Sequence, residues 1–208
     1  MATRMKGDKR RAAIVEAAIH LFAEKGFRGA TTRELAAALG VTEPVLYQHF
    51  ATKNDLYSAI IETKSREGQP HAQELTALSA ADNDREFFRF LGNLILETYA
   101  SDPDYMRLLL FSALERHELA DLFFQRQLQG FFDIVASYIQ QRRTAGAFQD
   151  IDADTAARSF IGMLDYHGLV GLLFGHTAVP EKRTAIVDEA VDIFLCGIRR
   201  ASQSCAND

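Results

Sequence analysis

Apolar residues recur at helical spacing along nearly the whole chain, and short polar or glycine-containing breaks interrupt them. Residues 9–25 carry Ile14, Ala17, Ala18, Leu21 and Phe22 on one face, and Gly26 ends the run. A helix starting near Thr52 carries Leu56, Ala59, Ile60 and Thr63 and is expected to break at Gly68-Gln69-Pro70. A short helical stretch over 71–80 precedes the polar break at 82–84. The next helix runs to about 100, with Phe87, Phe88, Leu91, Leu94, Ile95 and Thr98 turned inward. Asp102-Pro103 resets the chain for a helix over 104–117. Residues 118–143 form one or two long helices rich in phenylalanine (Phe123, Phe124, Phe131, Phe132), closed by Gly146. Residues 152–175 are apolar nearly all round, as in a buried helix. Pro180 opens a last helix with Ile186, Ala190, Ile193, Phe194, Gly197 and Ile198 on its apolar side. Alternating strand patterns are scarce. The pattern predicts an all-α fold of about nine or ten helices.

The stretch 31–53 has its own punctuation. The Thr31 hydroxyl can accept the amide of Glu34, and the Glu34 carboxylate can reach back to Thr31, giving a capping box. Leu35, Ala36 and Leu39 form the apolar stripe of a short helix. Gly40 follows where a left-handed residue is wanted, and Val41 returns to the core. Thr42 is placed to cap a second helix, and Pro44 fits its first turn, where no amide donor is needed. Leu46 and Phe50 point inward, leaving Glu43, Val45, Tyr47, Gln48 and His49 for the outer faces. Two short helices joined by such a turn form a helix-turn-helix, whose second helix suits a DNA major groove.

Charge supports this placement. Through residue 53 there are nine basic residues against five acidic ones, a balance of +4, inside a chain of net charge −5. The remaining 14 basic and 23 acidic residues give −9. A basic end on an acidic protein suits phosphate binding with little non-specific attachment. Residues 1–8 are expected to be a flexible arm. Arg4, Lys6, Lys9, Arg10 and Arg11 either follow a phosphate backbone or belong to a solvated terminus. No apolar run is long and uncharged enough to span a bilayer, and no signal peptide is evident. Cys196 and Cys205 are therefore expected to be reduced thiols of a cytoplasmic protein.

Candidate reaction chemistry is sparse. His117 and Asp121 stand at a two-ligand helical spacing, but nothing supplies a third ligand, so no metal is expected. Asp165 and His167 lie two apart and face different ways, as satisfied polar groups at a helix interface would. There is no glycine-rich phosphate loop, nucleophile elbow or cysteine cluster. The chain is not expected to be an enzyme, and no cofactor is implied.

The segment VTEPVLYQHFATKNDLYSAI resembles the recognition helix and following helix of the TetR family of bacterial transcriptional regulators, and LFAEKGFRGATTRELAAALG resembles its first two helices. The motif covers about the first 60 residues. The resemblance implies a three-helix DNA-binding domain over 1–53. It also implies a larger helical domain over 54–208 that binds an effector and dimerises. It implies phosphate contacts at Thr32, Thr42, Tyr47, His49 and Lys53, each with a suitable donor. Tyr47 can equally serve in packing between helices. Arg33, Glu43, Pro44, Val45 and Gln48 are candidates for base edges: Arg for guanine, Glu for cytosine, Gln for adenine, Val or Pro for a thymine methyl. Many relatives carry small residues near Glu43 and Pro44, so sequence preference does not transfer.

The expected function is sequence-specific operator binding, as a repressor released by a small hydrophobic ligand. The alternative is a regulator whose C-terminal domain answers to a protein partner or to nothing. Phenylalanines at helical spacing are usually core, but the family implies a pocket, and Phe87, Phe90, Met106, Phe111, Phe124, Phe131, Met163 and Tyr166 are candidates for its wall. One helix-turn-helix reads few base pairs, so a homodimer on a near-palindromic double-stranded operator is expected. Gly168, Gly171 and Gly175 share one face, and Gly197 lies beside Phe194 on the last apolar face. These residues mark either the dimer seam or close packing within one subunit.

Overall fold

The computed structural model describes residues 2–115, 121, 128–175 and 179–199. Among them are nine helices: α1 (Ala2–Gly29), α2 (Thr32–Ala38), α3 (Glu43–Tyr47), α4 (Lys53–Ser79), α5 (Asp84–Ser101), α6 (Pro103–Leu114), α7 (Gln129–Thr144), α8 (Ala153–Phe174) and α9 (Pro180–Ile198). None of the described helices is long and apolar enough to cross a membrane. The fold is all-helical as expected, with two differences in boundaries. Residues 2–8 are helical rather than a free arm, since Ala, Arg, Met and Lys propagate a helix against the weaker formers Thr3, Gly7 and Asp8. The expected break at Gly68-Gln69-Pro70 is absent, and α4 runs through it. Pro70 deprives the Arg66 carbonyl of its donor, but Arg66, Gln69 and Pro70 are exposed, so water can replace it. Beyond the proline, fully buried Leu75 holds the helix to a core.

The chain packs as two units, residues 1–68 with 102–126 and residues 69–101 with 127–208. The expected boundary at 53/54 falls inside the first unit. Leu56, Tyr57, Ile60 and Ile61 of α4 join Ile14, Ala18 and Phe22 of α1, and Tyr105 and Leu108 of α6 belong to the same cluster. Phe27 packs on Phe22 and edge-on against Tyr57, both at 5.5 Å between ring centres. The buried Tyr57 hydroxyl meets the Ser112 hydroxyl, so a polar contact fixes α6 to α4 within an apolar core.

Gly26 interrupts α1 at φ +70, a conformation that side chains resist. A Cβ there would stand 2.5 Å from Glu115 Oε1. The other Glu115 oxygen accepts the Arg28 amide at 3.3 Å, which satisfies one donor of the turn. The capping box at α2 is present: Thr31 Oγ1 accepts the Glu34 amide at 3.2 Å, and Glu34 Oε2 accepts the Thr31 amide at 3.0 Å. Lys25 holds the other Glu34 oxygen at 2.6 Å. Gly40, at φ +63, passes the chain out of α2. Its amide bonds to the Ala37 carbonyl at 3.1 Å and that of Val41 to Ala36 at 2.9 Å, the paired bonds of a Schellman end. At α3 the expected cap is missing. Thr42 is extended, but its side chain makes no capping bond, and Pro44 removes one amide that would have needed it.

The second unit surrounds an aromatic core. Phe87 stacks on Tyr138 at 3.9 Å, and Phe88 contacts Phe160 at 4.8 Å and Phe194 at 4.9 Å. The Tyr138 hydroxyl donates to buried Asp84 at 2.7 Å, as does Arg142 Nε at 2.7 Å. Burial and the Asp84 carboxylate both push the Tyr138 hydroxyl far above its ordinary range. Ion pairs Arg89–Asp188 at 2.7 Å and Arg183–Glu97 at 3.1 Å join α5 to α9, with Arg85–Asp192 alongside. Of the two cysteines, Cys196 is disulfide-bonded rather than a reduced thiol, and Cys205 lies outside the described residues.

Two stability predictions follow from these contacts. Removing Asp84 leaves the largely buried Arg142 guanidinium with Asp82 alone, at 2.8 Å, and takes the acceptor from the buried Tyr138 hydroxyl, so Asp84→Ala is expected to cost about 3 kcal/mol in urea unfolding, against about 1 kcal/mol for Tyr138→Phe. Equal losses would show that the Arg142 pair contributes little. Glu34 is held at about 2, below its ordinary 4.5, by Lys25 first and then by the Thr31 hydroxyl and amide. A depressed carboxylate stabilises the fold above its ordinary range and ceases to do so as pH falls through the folded value. Glu34→Gln should therefore lower the melting temperature at pH 7, with the gap closing between pH 4.5 and about 2. A gap that persists at the acid end would contradict this.

Candidate nucleic-acid interface and effector region

The two turns of the first unit set the α2–α3 corner, and the candidate DNA-contacting residues divide there by exposure. Arg33, Thr42, Pro44, Tyr47 and Gln48 are exposed, while Thr32, Glu43, Val45, His49 and Lys53 are half-buried. Leu46 and Phe50 anchor α3 inward, as their spacing predicts. The uncapped Thr42 hydroxyl remains on the surface beside Glu43. Lys53 does not extend freely. Its ammonium donates to the Ala30 carbonyl at 2.7 Å and sits 4.3 Å from the centre of the Phe27 ring. Burial lowers its pKa, partly countered by the Glu115 charge. Arg11, one of the basic residues expected to follow a phosphate backbone or stand in solvent, lies over Phe50 at 4.6 Å.

One arrangement was not legible in the sequence. The Thr32 hydroxyl donates to Glu43 Oε2 at 3.1 Å, and the Tyr47 hydroxyl lies 3.3 Å from the same Thr32 oxygen. Glu43 and Tyr47 are four apart on α3 and so share the face that meets the start of α2. The expectation that the Glu43 carboxylate points freely outward is therefore corrected.

The eight expected pocket residues are divided between the two units. Met106 and Phe111 lie on α6 in the first unit, and Phe124 lies outside the described residues. Phe87 is fully inside the aromatic core, against Tyr138. Phe90, Phe131 and Met163 are half-buried against that core. Tyr166 is 67% exposed, because it stands two residues from buried Leu164 and so on the opposite side of α8. A small hollow instead opens between α5, α8 and α9, bordered by Tyr99, His167, Gly168, Arg183 and Ile186. Beside it, Asp165 accepts a hydrogen bond from Tyr99, and burial raises its carboxyl to about 6. His117 of the weighed metal pair lies outside the described residues.

The glycine stripe also reads differently in place. A Cβ on Gly168 would meet the Tyr99 ring at 2.2 Å, so this glycine admits α5 of the same unit. Gly171 is buried, and Gly175 is the left-handed end of α8 at φ +72. Phe194 packs on Phe160 at 5.0 Å within the core. Of the five expected seam residues, Gly175 at the end of α8 and Gly197 on α9 are open, with nothing near their missing side chains. The reason is rotational: the stripe lies on the inward side of α8. The outward side carries Tyr166, Leu173 and Phe174, and α9 adds exposed Ile193.

Comparison with known proteins places both parts of the chain. Residues 14–60 match the model for the bacterial regulatory proteins of the tetR family. Residues 92–197 match the AefR-like transcriptional repressor C-terminal domain. A stretch of 59 residues is 41% identical to the HTH-type transcriptional activator FasR of Mycolicibacterium smegmatis, covering 28% of this chain and 27% of that protein. The chain thus matches about a quarter of the length of that relative. The whole fold is similar to the ketosteroid transcriptional regulator KstR2 of Mycobacterium tuberculosis, with a TM-score of 0.71 and 21% identity over 92% of this chain and 95% of that one. It is also similar to AibR, solved with isovaleryl coenzyme A and operator DNA, with a TM-score of 0.68 and 21% identity over 88% of this chain and 97% of that one. With one domain model on the helix-turn-helix and another across most of the remainder, the chain belongs to the TetR family of bacterial transcriptional regulators.

Proposed function

We propose that this protein binds a near-palindromic operator as a homodimer and acts as a repressor released by a small hydrophobic effector. The observation carrying the DNA reading is the α2–α3 corner, where a Schellman turn and two buried anchors leave Arg33, Thr42, Tyr47 and Gln48 on one accessible edge. Thr32, Thr42, Tyr47, His49 and Lys53 serve the phosphate backbone. Arg33, Pro44, Val45 and Gln48 serve base edges. Residues 1–53, within the first unit, read DNA, and the remainder of the chain takes the effector and dimerises, the second unit foremost. AibR, solved with both isovaleryl coenzyme A and operator DNA, supports a chain of this fold that takes a small molecule as well as DNA. The tightly filled aromatic core around Phe87 favours a second reading, in which the C-terminal part answers to a protein partner or to nothing.

The seam of the proposed dimer is the outward side of α8 and α9, where Tyr166, Leu173, Phe174 and Ile193 leave large apolar side chains uncovered. Gly197 lies on the same exposed side of α9 and permits close approach.

Selection of duplexes from a random pool by the purified protein should yield a two-fold symmetric consensus. Against that consensus, Gln48→Ala should relax preference at one base position by about 1–3 kcal/mol, whereas Tyr47→Phe should weaken all duplexes alike. Lys53→Ala should reduce the salt slope of binding by about one and lower the melting temperature, because the Ala30 carbonyl loses its donor. An unchanged slope would restrict Lys53 to its structural contact. Thermal shifts across a library of apolar compounds, followed by operator release, separate the ligand-gated reading from its alternative.

Leu173→Glu with Ile193→Glu should give a folded monomer by sedimentation and at least a hundredfold weaker operator binding, about 3 kcal/mol. A folded, fully dimeric double variant would place the seam elsewhere.

A further inference from the structure

The seam between α2 and α3 holds an internal anion. Thr32 Oγ1 donates to Glu43 Oε2 at 3.1 Å, and the Tyr47 hydroxyl closes on Thr32 at 3.3 Å. The neighbouring Thr31 hydroxyl is occupied differently, in the capping box with Glu34. A carboxylate and a phosphodiester are both monoanions with two equivalent oxygens, and both accept the same O–H donors. The Thr32 hydroxyl assigned above to the DNA backbone is thus already held by an anion of the protein itself, with the Tyr47 hydroxyl behind it on the same threonine oxygen. A backbone phosphate can take the Thr32 hydroxyl only after the Glu43 carboxylate has released it, and the two negative charges repel at close range.

We propose that Glu43 is an intramolecular surrogate for the DNA phosphate, which competes with the duplex for the Thr32 hydroxyl and lowers affinity for all sequences alike. The proposal rests on the DNA-binding reading above, and it replaces the base-reading role that the sequence suggested for Glu43. Competition of this kind acts where no base is read. It therefore leaves the ratio of specific to non-specific affinity intact while reducing both, and so limits idle occupancy of bulk DNA. The bond also ties α2 to α3 in the free protein, across eleven positions of sequence.

The test is a double-variant cycle on the full-length chain, read by fluorescence anisotropy with the selected operator and with a scrambled duplex of equal length. Glu43→Gln keeps the size of the side chain and removes its charge. It should bind both duplexes about three- to tenfold more tightly, with their ratio unchanged. Thr32→Val should weaken both duplexes. In its background the gain from Glu43→Gln should shrink, because the hydroxyl contested by the two anions is gone. Circular dichroism of all four proteins checks that the helices persist. Three results would each overturn the proposal: selective loss of the operator in Glu43→Gln, which makes Glu43 a base reader; no change with either duplex; or an equal gain with and without the Thr32 hydroxyl, which reduces Glu43 to bulk charge. A wild-type protein that binds neither duplex would instead end the DNA-binding reading itself, and the proposal with it.

Discussion

Helices α2 and α3 span only seven and five residues, too short to persist in water on their own. Everything the first unit presents to a partner depends on satisfying their exposed backbone ends. Thr31 and Glu34 close one end, and the amides of Gly40 and Val41 return to carbonyls of α2 at the other. The direction in which α3 leaves that turn follows from Gly40, which alone supplies the positive φ at the corner. Leu46 and Phe50 then convert the direction into a fixed roll of α3, so that Tyr47 and Gln48 face away from the core.

The second unit solves a different problem. Its helices are long enough to be stable as helices, and their mutual placement is what needs fixing. Rings from α5, α7, α8 and α9 interlock around Phe88, and close approaches at Gly92 and Gly168 draw α5 against its neighbours. The Asp84 site then adds direction to a contact that apolar packing leaves free to slide. Tyr138 and Arg142 sit one turn apart on α7 and grip the same carboxylate at the start of α5.

What the sequence revealed follows from distance along the chain. The capping box, the Gly40 turn and the inward pair Leu46/Phe50 are set by residues within about one helical turn of each other, and each was readable. The link from Thr32 to Glu43 spans eleven positions and two helices, and no local pattern announces it. The same holds for the glycine stripe. Its spacing disclosed a close approach on one side of α8, but the approaching group, Tyr99, comes from far earlier in the chain. Aromatic spacing likewise shows that a ring turns inward without naming the core it enters, as at Phe87, which stacks on Tyr138 from much later in the chain. Pro70 misled for the opposite reason. A strong local signal for a break was overridden by burial at Leu75, one turn beyond it.

The corner at Gly26 carries a consequence for how this sequence can drift. Position 26 resists side chains by its positive φ, and the Glu115 carboxylate would have to move out of the space a methyl group needs. Shortening Glu115 removes the second obstacle and leaves the first, and it also strips the Arg28 amide of its acceptor. The two positions therefore do not vary as independent sites. A change at 115 alone loosens the corner at modest cost, whereas a side chain at 26 has to adopt the positive φ and also swing the Glu115 carboxylate away from the Arg28 amide. A single substitution at 26 therefore disturbs two supports of the turn at once.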